Sequence, residues 1–238
     1  MVPAHLGRID YDGAEIVIGV TSRAEIMSRL TPVAKEPWTV RWLEQAIRDG
    51  DVFYDIGANV GTYSLIAAAQ QRSAVRVVAF EPGYASFAAL CDNVLHNRRD
   101  DVIVPLPVVL GARTGLATLG YSDVAAGGAE HSLQPGAEAV YRQPVLAYRL
   151  DDLVAEFQLP SPSLLKIDVD GAEGAVLSGA AATLAQPGLR SVLVEIQRDG
   201  GNEVVGLLEG AGLALRDRID ERNGVPLNNV WYGIFERI

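Results

Sequence analysis

The chain of 238 residues is poor in cysteine and in clustered positive charge, and it has no long apolar run. Cys91 is its one cysteine, so an internal disulfide and a thiolate metal cluster are both excluded and a reducing compartment is expected. Lys and Arg number 20 against 30 Asp and Glu, a net charge of −10, with no basic cluster. Neutralising phosphate backbones needs such a cluster, so nucleic-acid partners are set aside. No segment approaches the ~18 apolar residues that span a bilayer. The opening "MVPAHLGRIDYDG" has neither a basic n-region nor an apolar h-region, and a cytoplasmic protein without a membrane partner is expected.

What is present is the material for a full core, with 49% hydrophobic and 21% charged residues in a length that suits one domain. "GRIDYDGAEIVIGV" alternates around Asp12-Gly13 and predicts a β-hairpin closed by a type I′ turn, an appendage over residues 1–37. "KEPWTVRWLEQAIRDG" carries Val40, Leu43 and Ile47 at helical spacing. From there, over residues 38–238, strand-like and helix-like segments alternate: "DVFYDIG" and "GTYSLIAAAQQ", "VRVVAFEP" and "ASFAALCDNVLHN", "SLLKIDVDG" and "GAVLSGAAATLAQ", then "LRSVLVEI". The strands are near-continuous apolar runs, as parallel strands covered on both faces must be. The reading is an α/β protein with a doubly wound, mostly parallel sheet and an antiparallel finish at "GLALRDRID" and "NVWYGIFERI". Residues 122–144, rich in glycine and without periodicity, are read either as a lid over the site or as a surface insertion.

Ligands of an open parallel sheet bind beyond the carboxyl ends of its strands, and here those ends are acidic: Asp55, Glu81, Asp168 with Asp170, and Glu195. Acids at strand ends also cap helices, but four strands in succession point to a shared site. The loop Gly57-Ala58-Asn59-Val60-Gly61 puts Asn59 where a dinucleotide fold needs its second glycine, and there is no Walker lysine. Such a loop suits a nucleoside without a diphosphate. Glu81 lies 20 residues beyond Gly61, where a carboxylate accepts hydrogen bonds from a ribose diol. Acids around the loop favour a cationic ligand, and a sulfonium nucleoside with an ammonium group meets these demands.

"FYDIGANVGTYSLIAA", "VVAFEPGYASFAALCDNV", "LLKIDVDGAEGAVLSGA" and "VLVEI", in this order, resemble the FkbM family of S-adenosylmethionine-dependent methyltransferases. The resemblance implies a Rossmann-like sheet, S-adenosyl-L-methionine as cofactor, and methyl transfer, usually to a hydroxyl oxygen of a sugar or secondary metabolite. It implies that Asp55 positions the methionine ammonium end, directly or through water. It further implies that Gly57 and Gly61, with Asn59 between them, lay the loop against the cofactor, and that Glu81 holds the ribose. For Gly61, tight helix-on-strand packing is the competing reading. Val109, with Val108, flanks the adenine or packs in the core.

Methyl transfer requires an acceptor oxygen held near the methyl and its proton removed. Asp168 ends the strand expected beside the methyl and is the first candidate base, with His131 of the supposed lid as the second. Lys166 alternates to the face of Asp168 and pairs with an acid or orients the acceptor, or else snorkels. Asp170 and Glu173 are read as helix caps. His5 and His96 receive no function. A Mg²⁺ ion on Asp168, Asp170 and Glu195 is possible chemistry, but the expectation is metal-independent transfer. A small-molecule N-methyltransferase, an NAD-linked oxidoreductase and a non-catalytic nucleoside-binding domain are the alternatives. The partner expected is a small-molecule acceptor, with a homo-oligomer possible.

Overall fold

The computed structural model describes residues 5–20, 29–70, 74–121, 131–132 and 140–238. Strands β1 (His5–Arg8) and β2 (Val17–Val20) pair antiparallel with Arg8 opposite Val17. The two-residue turn expected at Asp12-Gly13 is therefore corrected: residues 9–16 form the connection, joined at its base by Ile9 N–H donating to Ile16 O at 3.1 Å. Ile9, Tyr11 and Ile16 are buried in the main core. Drawing three apolar side chains inward demands a longer loop than a type I′ turn provides.

Short helix α1 (Pro32–Lys35) leads to α2 (Pro37–Ala46), where proline stands at the first turn of each. The alternating body follows as β3 (Val52–Ile56), α3 (Thr62–Ala68), β4 (Arg76–Phe80), α4 (Tyr84–His96) and β5 (Ile103–Leu106). Asn93 of α4 and Asn97 just past its end accept the backbone N–H groups of Gly19 and Val17 at 2.8 and 3.0 Å, which fastens the hairpin to the body.

A smaller sheet comes next, from β6 (Val109–Leu110), β7 (Gly115–Tyr121), β8 (His131–Ser132) and β9 (Tyr141–Tyr148), in the order β6-β9-β7-β8. The aperiodic reading of residues 122–144 is thus corrected at its end, since Tyr141 to Pro144 pair with β7. Most of the supposed lid, residues 122–130 and 133–139, lies outside the described residues. The sheet has a core of its own around Leu119, Tyr121 and Val145, and the Gln143 amide donates to Pro82 O at 3.1 Å, pinning it beside the end of β4.

The chain continues through α5 (Leu150–Phe157), β10 (Leu164–Ile167), α6 (Glu173–Ser178), α7 (Ala181–Leu184), β11 (Ser191–Gln197), α8 (Gly201–Gly210) and β12 (Leu213–Ile219). A minor ribbon, β13 (Glu221–Arg222) and β14 (Val225–Pro226), precedes β15 (Val230–Arg237). The helical segment read as continuous after β10 is split at Gly179, where a Cβ would stand 2.1 Å from Gly111 O. Asp151 accepts the Ala182 and Thr183 N–H groups and starts the second piece.

The main sheet has the order β12-β15-β11-β10-β3-β4-β5, and β15 alone runs against its neighbours. Side chains alternate across it. Phe53, Val77, Leu164 and Leu193 pack with α2, α3 and α4 on one face, while Tyr54, Val78, Leu165 and Val192 pack with the later helices on the other. Each fully buried Leu or Phe contributes about 1.5–3 kcal/mol of transfer free energy. Two apolar faces leave polar chemistry to the ends of the strands, and the acids read from the sequence stand at the carboxyl ends.

Candidate active site

From β3 the chain crosses to β4 on one side, while β10 lies on the other, so a crevice opens above these two strands. Asp168 N–H donates to Ile56 O at 3.0 Å, which sets the start of the β10 loop against the end of β3. Gly57 makes that approach possible. Its φ is +81°, and a Cβ there would stand 1.8 Å from Asp168 O.

Register then arranges the polar residues in two rows. Asp55 is paired with Lys166, and Lys166 with Leu193. One step further along the strands come Gly57, Asp168, Glu195 and Tyr232, the last two directly opposite each other across the antiparallel pair β11 and β15. In-register neighbours lie about 4.8 Å apart, so the carboxylates of Asp168 and Glu195 share one strip above the sheet.

A cavity of about 450 Å³ lies on one side of Gly57, walled by Val108, Val109, Leu110 and Leu119 among others and containing Asn59 and Glu81. Glu81 is 5% exposed. One of its oxygens accepts Asn59 N–H and the other Gly83 N–H, each at 2.8 Å. Burial pushes its carboxyl up to about 7, with those two donors pulling the other way. Asn59 itself has φ +51°, and its buried Oδ1 has no hydrogen-bond partner among the described residues. An anchored carboxylate with lone pairs to spare, an orphaned amide oxygen and an apolar slot are a suitable donor and acceptor set for a nucleoside.

Lys166 is 1% exposed, with its Nζ 2.8 Å from Asp168 Oδ2, 3.9 Å from Asp55 Oδ1 and 5.0 Å from the centre of the Tyr63 ring. It does not snorkel. Burial opposes its charge, but Asp168, Asp55 and Glu36 outweigh it and hold the ammonium above its ordinary value. Asp55 is fully buried and accepts Ser64 Oγ–H at 2.6 Å. It lines neither cavity, so its carboxylate serves Lys166 and the start of α3.

The second cavity, about 380 Å³, is polar and is lined by Glu36, Tyr63, Lys166, Asp168, Glu195 and Tyr232. It meets the first at Gly57, Asn59, Asp168 and Asp170, which line both. Tyr232 donates its O–H to Glu195 Oε2 in a short hydrogen bond. Burial pushes Glu195 up to about 7, the nearby Asp168 adds to this, and the Tyr232 hydrogen bond acts against it. Burial and the surrounding acids raise the Tyr232 phenol, which stays protonated.

Other sequence candidates fall elsewhere. Gly61, with φ +86°, lines neither cavity; a Cβ there would stand 2.4 Å from Leu90 Cδ1, which is the packing role. Glu173 accepts Gly171 N–H at 3.0 Å and acts as a cap. His131 is paired through its backbone with Tyr121, and its imidazole lies outside the described side chains. Among the described residues no group of three His, Cys, Asp or Glu side chains is placed to hold a metal ion, and no helix is long and apolar enough to cross a membrane. Glu36, Tyr63 and Tyr232 were not singled out from the sequence. Nothing local marks them: Tyr232 comes from an antiparallel strand far along the chain, Glu36 from the link before α2 and Tyr63 from the first turn of α3.

A mostly parallel seven-stranded sheet with one reversed strand beside its edge and a cavity at its switch point is the Rossmann-like architecture of methyltransferases. A precorrin-6y C5,15-methyltransferase from Geobacter metallireducens has this fold, with a TM-score of 0.51 at 13% identity over 84% of this chain and 86% of that one. The chain belongs to the FkbM methyltransferase family, whose domain model matches residues 55–220. It is 29% identical over 185 residues to the hexuronic acid methyltransferase AglP of Haloferax volcanii, covering 76% of this chain and 72% of that protein. To the 31-O-demethyl-FK506 methyltransferase FkbM of Streptomyces tacrolimicus it is 31% identical over 197 residues, covering 71% and 75%.

Proposed function

We propose that this methyltransferase uses S-adenosylmethionine and delivers the methyl group to a hydroxyl oxygen of a small, polyhydroxylated acceptor of the sugar type. The observation that carries this reading is the meeting of two unlike cavities at Asp168. The apolar one suits an adenosine, with Glu81 on the ribose diol, Asn59 Oδ1 free to accept a donor, and Val109 against the base. The polar one suits a ring bearing several hydroxyls, because charged and phenolic groups surround it and its floor is the carboxylate strip. The names of the two relatives, a hexuronic acid methyltransferase and a 31-O-demethyl-FK506 methyltransferase, support a small-molecule acceptor, and the second of them names an oxygen.

The bound cofactor supplies a methyl on a sulfonium centre. The protein's part is orientation and proton transfer. Asp168, held by Lys166, accepts a hydrogen bond from an acceptor hydroxyl beside the reacting one at the junction of the cavities, and Asp55 keeps Lys166 in place. Holding the two reactants in one geometry supplies the larger share of such a rate enhancement.

Calorimetry with S-adenosylmethionine, S-adenosylhomocysteine and NAD tests the cofactor. Binding of NAD with no response to either sulfur nucleoside overturns the reading. A screen with methyl-labelled S-adenosylmethionine against uronic acid glycosides, neutral glycosides, macrolide hydroxyls and primary amines tests the acceptor. Label on oxygen of a glycoside is expected, and label on amines alone would make the protein an N-methyltransferase.

A further inference from the structure

The sheet register that aligns Asp168 with Glu195 separates two duties usually given to one carboxylate. Asp168 is already engaged, its Oδ2 2.8 Å from an ammonium that is sealed from solvent. That oxygen already accepts from the lysine, so the pair suits orientation of the acceptor. Glu195 is placed differently. Its Oε2 takes the Tyr232 O–H, and among the described residues no donor reaches its Oε1. It lines the polar cavity and follows the last registered pair, Ile167 with Val194, by one residue.

We infer that Glu195 is the catalytic base, taking the acceptor proton on Oε1 while Tyr232 fixes the carboxylate through Oε2 and the pair of Lys166 and Asp168 orients the acceptor. The inference rests on the oxygen-transfer reading given above. In the step the acceptor O–H bond breaks and its proton passes to Glu195. The electron pair of that oxygen forms the O–CH₃ bond, and the pair of the broken S–CH₃ bond stays on sulfur. The polar cavity then gives the proton a way to solvent.

The groups that act most on Glu195 are Tyr232 from β15, Lys166 from β10, Asp168 just after it, and Glu36 from the link between α1 and α2, and Arg29, Lys35, Tyr63 and Asp170 line the same cavity. Their balance with burial places its ionisation near pH 7, where a base is half available and still strong. Tyr232 lowers that value by stabilising the carboxylate, so its removal should raise it.

The test uses the full chain and the glycoside that scores in the acceptor screen. For the wild type, kcat/KM should rise with pH to a plateau, with a midpoint near 7. Glu195→Gln should lower it by ~10²-fold or more and abolish the rising limb, the usual scale for loss of a general base. Tyr232→Phe should move the limb to higher pH, and Asp168→Asn should lower the rate while leaving the limb in place. As a measurement independent of turnover, ¹³C-carboxyl NMR of the S-adenosylhomocysteine complex should show a resonance titrating near 7 that Glu195→Gln removes. Rates within a few-fold of wild type for Glu195→Gln with the limb intact, or a Glu195 resonance titrating at the ordinary carboxylate value, would overturn the inference alone. Homocysteine-nucleoside binding without any oxygen methylated in the screen would overturn the functional reading, and the inference with it.

Discussion

The ammonium of Lys166, sealed beneath the site, stands 2.8 Å from the carboxylate of Asp168, two residues along the chain and just past the end of β10. A buried cation this close to two acids is a structural commitment, because removing it strands both Asp55 and Asp168 without a counter-charge. Lys166→Met is expected to cost about 3–5 kcal/mol, the scale for breaking a buried pair from one side. The double variant Asp55→Asn, Lys166→Met should cost less than the two single changes added. Urea unfolding of the three proteins reads both numbers, and strict additivity would mean the two groups do not interact.

On the proposed cofactor reading, Glu81 sets the pH dependence of cofactor binding. Its ionisation near 7, against an ordinary 4.5, means that the folded apo protein holds a proton that the unfolded chain has already lost over that interval. The contribution of this group to stability is therefore full below about 4.5 and is lost as pH rises through about 7. A ribose diol donates to the carboxylate form, so affinity for S-adenosylhomocysteine should increase from pH 6 to pH 8 with release of a proton. Calorimetry in two buffers of different ionisation enthalpy measures that release.

Replacing Glu81 by Ala should weaken cofactor binding by roughly 1–3 kcal/mol, the cost of lost charge-assisted hydrogen bonds. It also frees the Asn59 and Gly83 N–H groups that the carboxylate now satisfies. Unchanged affinity would assign Glu81 to loop structure alone.

Asp168→Asn should retain most cofactor affinity and lower turnover by ~10²-fold, because it removes the charge that Lys166 aims at the acceptor. An amide at this position keeps an oxygen for the lysine and so preserves the fold. A fall in melting temperature matching the fall in rate would instead mark Asp168 as a structural acid.

Gly57 and Gly50 both have positive φ, +81° and +79°, but only Gly57 faces another backbone, with Asp168 O 1.8 Å from where a Cβ would be. Gly50→Ala measures the conformational cost alone, about 1–2 kcal/mol. Gly57→Ala should cost clearly more in denaturant and should weaken cofactor binding, since the β10 loop has to move away. Equal costs for the two would show that the junction of β3 and β10 yields easily.

Much of this architecture is written in local chemistry. A strand covered on both faces is a continuous apolar run, and "DVFYDIG", "VRVVAFEP" and "SLLKIDVDG" declare themselves in this way, each ending in the acid or glycine that a ligand-binding edge requires. The residues proposed for the cofactor were nameable for the same reason: Glu81, Asn59 and Gly57 stand where a strand ends and a turn begins, and position in the turn is a sequence property. Partnership is not. Lys166 could have snorkelled, Gly61 could have faced the ligand, and Tyr232 carried no mark at all. Their roles depend on sheet register between segments far apart in the chain, which sets Asp55 beside Lys166 and Glu195 opposite Tyr232 and brings Leu90 onto Gly61. Side-chain type is decided residue by residue, whereas the neighbour that fixes a carboxylate's charge, or fills the space beside a glycine, exists only once the distant strands and helices have packed.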